Sequence, residues 1–79
     1  MASISLLFEL DTRIDELRDM IDVQHQRITQ LELEGRDPTN AGKALDVLDH
    51  HLRDAVVRRD QVLRDFEQQK AFRGRRKAN

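Results

Sequence analysis

The sequence predicts an all-α protein: an antiparallel two-helix hairpin that pairs with a second copy of itself into a four-helix bundle or coiled coil. Two long stretches carry apolar residues at alternating spacings of three and four, and only Glu34-Gly35-Arg36-Asp37-Pro38 separates them. The chain has 79 residues, 38% hydrophobic and 37% charged, which is too short and too polar for a large core of its own. A chain of this size needs disulfides, a metal or oligomerisation for stability, and it has no cysteine. Oligomerisation is the support that remains.

The expected first helix covers residues 5–34, capped by Ser3 or Ser5. Leu7, Ile14, Ile21 and Ile28 take the first core position of a heptad and Leu10, Leu17, Gln24 and Leu31 the second. Gln24 is the one polar member, and a buried amide in such a seam sets register. Met20 and Val23 lie beside the stripe and widen the apolar face.

The turn is expected at residues 35–37. Gly35 is the residue best suited to the left-handed conformation that closes a helix, while Asp37 before Pro38 reads as an N-cap followed by proline at the first helical position. A link this short folds the second helix back along the first.

The second helix is expected over residues 38–69, with a stripe of Ala41, Leu45, Leu48, Leu52, Ala55, Val62 and Phe66. Val56 and Leu63 add a row beside it, the pattern of a helix that contacts two neighbours. Together with Met20, Val23 and Gln24 they are the expected dimer interface. Folding about the turn sets Gln24 opposite Leu48 and Arg59 opposite Ile14, with Asp11 and Asp15 within reach of the guanidinium. On the outer faces Glu9 and Arg13, Asp49 and Arg53, Asp54 and Arg58, and Asp60 and Arg64 place an acid four residues before a base, which favours helix.

Residues 70–79 form a basic tail. Lys70, Arg73, Arg75, Arg76 and Lys77 give it five positive charges and no acid, whereas residues 1–69 carry nine basic and fifteen acidic side chains. The plainer expectation is a solvated, disordered end; as a binding segment it suits phosphates on nucleic acid first and an anionic membrane second. The acidic body opposes both.

Catalysis and metal binding find little material. His25 and His51 come within about a turn of each other in the expected register, with Asp22 or Asp49 to add a carboxylate, but neighbouring His50 and His51 point about 100° apart. Nucleophilic chemistry would need an activated serine or a shielded lysine, and Ser3 and Ser5 sit at a helix end. No enzyme activity, metal or cofactor is expected. The apolar run Ile4 to Leu10 is too short for a secretory signal and has no basic residue before it, and no run approaches membrane-spanning length, so the expectation is a cytoplasmic protein.

The spacing Ile28-x-x-Leu31-x-x-x-Gly35-Arg36-Asp37, followed by Ala41-x-x-Ala44-Leu45-x-x-Leu48-x-x-x-Leu52 and Arg59-Asp60, resembles short helical-hairpin segments of uncharacterised alpha-proteobacterial proteins over residues 14–66. That resemblance implies a bacterial cytosolic protein without known activity. The sporulation aspartyl-phosphate phosphatases, another helical-hairpin family, carry Ser-Gln-Glu-Leu-Asp where this chain has Gly42-Lys43-Ala44-Leu45-Asp46. With the amide and glutamate missing, their activity does not transfer. The functional expectation is a non-catalytic interaction or regulatory module that self-associates or meets a protein partner, with a small nucleic-acid-binding hairpin dimer as the alternative.

Overall fold

Both periodic stretches are helical in the computed structural model, which describes residues 4–78 of the backbone and side chains through Gln69. Helix α1 spans Ile4–Leu33 and α2 spans Thr39–Ala78. They pack against each other as a hairpin measuring 69 × 16 × 15 Å. Ser5 lies inside α1 and does not cap it; Ser3, the other expected cap, lies outside the described residues.

The reversal is built from backbone hydrogen bonds. Arg36 N–H donates to Leu31 O at 2.8 Å and Gly35 N–H to Glu32 O at 3.1 Å, the two bonds of a Schellman motif, and Gly35 takes φ +71°. Any side chain there would be conformationally strained, although no atom lies within 4 Å of where a Cβ would stand. On the far side Asp37 Oδ1 accepts the backbone N–H of Thr39 at 3.0 Å and also its hydroxyl, so Asp37 caps α2 as expected. Gly42 N–H donates to Pro38 O at 2.8 Å as the helix begins.

The second helix is longer than expected. Its backbone continues from Gln69 to Ala78, through the basic segment. Glutamine, lysine, arginine and alanine are good helix formers, and Gly74 alone costs only about 1 kcal/mol.

The core is a single file. Ile14, Leu17, Ile21 and Ala41 are buried, with Leu17 at 1% exposure. Leu7, Leu10, Ile28 and Leu31 of α1, and Leu45, Leu48, Leu52 and Phe66 of α2, are half-buried. Two cylinders meet along one line, so each seam residue keeps one side open.

Candidate interaction surface

Gln24 sits in the seam, half-buried, and its Nε2 donates to the carbonyl of Ala41 at 3.0 Å. This corrects the expected register, which set Gln24 opposite Leu48. The cause lies in the turn. Residues 36–38 are neither helix nor tight turn. They bring the first turn of α2 down alongside Gln24.

The same shift separates the histidines. His51 lines a shallow groove with Leu10, Arg13 and Leu17, and Leu17 lies about 12 Å along α1 from His25. His50 Nε2 meets Asp54 Oδ2 at 3.4 Å on the exposed face. The expected approach of His25 to His51 is therefore not made. Among the described residues no three His, Asp or Glu side chains are grouped so as to hold a metal ion. Ser5 is exposed in the first turn of α1.

Two unlike flanks border the seam. One is bridged by Arg59, whose Nε reaches Asp11 Oδ1 at 2.6 Å while Nη1 lies 3.7 Å from Asp60. The sequence offered Arg59 two aspartates, and the structure pairs it with Asp11. The other flank is open: Leu10, Leu17 and Ala55 line its groove, with Arg13, His51, Asp54 and Arg58 beside them.

Helical spacing extends both flanks toward the turn, because residues three, four or seven apart share a face. Met20 follows Arg13 by seven, Leu48 precedes Ala55 by seven and Val47 precedes His51 by four, so all three continue the His51 flank. Met20 is 47% exposed, Val23 63% and Val47 55%. Val56 precedes Asp60 by four and Leu63 follows it by three, which puts both on the Arg59 side. They are half-buried. The five residues expected to form one dimer interface thus divide: Met20 and Val23 on the open flank, Gln24 between the helices, Val56 and Leu63 across the seam. Val47 was absent from the expected set because it lies off the main stripe of α2. The signal for it was its spacing from Leu48 and His51, which means something only once the open flank is known.

None of the four expected acid-before-base pairs reaches ion-pair distance. Arg13 turns to Glu16 at 3.6 Å, and Asp54 and Asp60 take the partners already given. Exposed pairs are worth so little that small differences in rotamer preference decide among them. The Asp37 carboxyl is held below its ordinary range, by the Thr39 hydroxyl first and the Thr39 N–H second. The side chains of Lys70, Arg73, Arg75, Arg76 and Lys77 lie outside the described residues, although their backbone belongs to α2. Among the described residues no helix is long and apolar enough to cross a membrane. Compared with protein-family models, curated proteins and solved structures, the chain matches none.

Proposed function

We propose that this chain is a cytoplasmic, bacterial, non-catalytic interaction module whose hairpin self-associates, most simply as a two-fold dimer forming a four-helix bundle. One observation carries the reading: among the described residues of this long hairpin only Ile14, Leu17, Ile21 and Ala41 are buried. Four residues in single file contribute little against the entropy of ordering two long helices. A second copy laid against the seam covers the half-buried row, and two-fold symmetry lets one surface serve both partners. Sedimentation velocity at micromolar concentration, with helicity followed on dilution, tests it. The expected result is a dimer whose helicity falls as it dissociates; a well-folded monomer throughout would refute self-association.

The alternative, nucleic-acid binding, draws support from the continuation of α2 through the basic segment to Ala78. An ordered helix presents its charges to a phosphate backbone at lower entropic cost than a coil. Fluorescence anisotropy with a labelled single-stranded oligonucleotide separates the readings. Binding that falls steeply with added salt and disappears in a chain stopped after Gln69 supports the alternative.

A further inference from the structure

We infer that the second copy docks on the His51 flank, over Met20, Val23, Val47 and Leu48, and that the Arg59 flank stays in solvent. The inference rests on the self-association reading and adds which surface performs it. Its first support is area. A compact monomer of 9.3 kDa exposes about 5,000 Å², whereas this chain exposes 6640 Å². The excess, about 1,600 Å² per chain, exceeds the roughly 800 Å² that each partner buries in a standard interface. There is enough surplus surface for a stable dimer.

Charge and shape choose the flank. On the Arg59 side the groove is already bridged by the Arg59–Asp11 pair at 2.6 Å, and Asp60 of the same helix lies 3.7 Å from the guanidinium. A partner there would have to strip water from these carboxylates and from the guanidinium, and such desolvation is repaid only by excellent new pairing. The His51 flank has a floor of Leu10, Leu17 and Ala55 with Arg13, His51, Asp54 and Arg58 around it. The ion pairs there, Arg13 to Glu16 and His50 to Asp54, each stay within one helix, so among the described residues no pair closes this groove. Toward the turn, Met20 and Val47 keep about half their surface exposed, at 47% and 55%. Ala55 is small and half-buried, so it leaves room for a larger side chain from the facing copy. Methionine adapts to such a gap better than a branched residue. In a two-fold arrangement Met20 and Val47 of one copy face the same strip of the other, so each contact occurs twice.

Two sets of variants test the surface separately from self-association. Met20→Glu combined with Val47→Glu puts four carboxylates into the dimer and should weaken it at least about tenfold, while Val57→Glu, on an exposed position four residues after Arg53, should leave association unchanged. Because a weakened dimer can also unfold, single cysteines in this cysteine-free chain give an independent readout. Val47→Cys should cross-link copies with a short bis-maleimide, and Val57→Cys should not. A dimer that tolerates both glutamates, or that cross-links through Val57→Cys and not Val47→Cys, would overturn the choice of flank while leaving self-association intact. A parent chain that sediments as a monomer would overturn both.

Discussion

The middle of the hairpin and its turn are held by different forces. Around Leu17 the helices are joined by apolar side chains, with Ile14 and Ile21 one turn away on either side. At the turn there is almost no buried apolar surface, and order comes from backbone and side-chain hydrogen bonds: Arg36 to Leu31, Gly35 to Glu32, and Thr39 to Asp37. The middle supplies stability. The turn supplies direction, because a helix that ends elsewhere delivers its partner at another height. Gln24 belongs to both, since its amide lies in the seam and bonds the first turn of α2.

That contrast orders the consequences of substitution. Leu17→Ala should have the largest effect, because the residue is 1% exposed and its loss leaves a void flanked by helices that cannot close on it. Losses of about 2–5 kcal/mol are typical of such sites. Urea unfolding followed by circular dichroism measures it; a loss below that of the turn variants would show that the seam is not the main source of stability. Gly35→Val should come next. No atom stands within 4 Å of the new Cβ, so the cost is that of a β-branched residue at φ +71°, about 1–2 kcal/mol. Gly35→Asn should recover part of it, since asparagine tolerates the left-handed region, and that recovery separates backbone strain from steric clash.

Asp37→Ala should destabilise less than Gly35→Val, and its effect should depend on pH. The Thr39 hydroxyl and N–H hold the Asp37 carboxyl below its ordinary 3.8. A carboxyl whose folded value is depressed contributes stability above its unfolded value and loses it as pH falls through the folded value. The parent and Asp37→Ala melting temperatures should therefore differ at pH 6 and converge on acidification below about pH 3.8; a constant gap would mean that the ionised carboxylate is not the cap. The smallest effect is expected for Arg59→Met. Its aspartate contact is close, at 2.6 Å, but Arg59 and Asp11 side chains are 39% and 54% exposed, which limits the loss to about 1 kcal/mol or less. Raising salt should shrink the difference between parent and variant, and a difference insensitive to salt would point to lost packing of the arginine stem.

Much of the hairpin was legible in the sequence because its causes are local. A stripe of alternating three and four spacings makes α1 helical and names its buried face, and Ile14, Leu17 and Ile21 are the buried centre of that stripe. Gly35 and Asp37 act within a few residues of themselves, so their roles follow from chemistry and position. The end of α2 was less legible: the switch from mixed to wholly basic charge at Lys70 suggested a boundary, yet charge does not stop a helix of good formers, and the backbone runs on to Ala78.

Tertiary structure decided what depends on how one helix is placed against the other. Periodicity gives each helix a face, but the offset between faces comes from the path of residues 36–38, and that path moved the partner of Gln24 from Leu48 to Ala41 and left His51 beside Leu17 instead of His25. The choice of Asp11 for Arg59 followed from the same placement. So did the division of the seam into a bridged flank and an open one, which sent Val56 and Leu63 to one side and Met20 and Val23 to the other. A sequence pattern specifies angles around an axis within one helix; relative height and side are properties of the pair, set by the turn's length and by the contacts made across the seam.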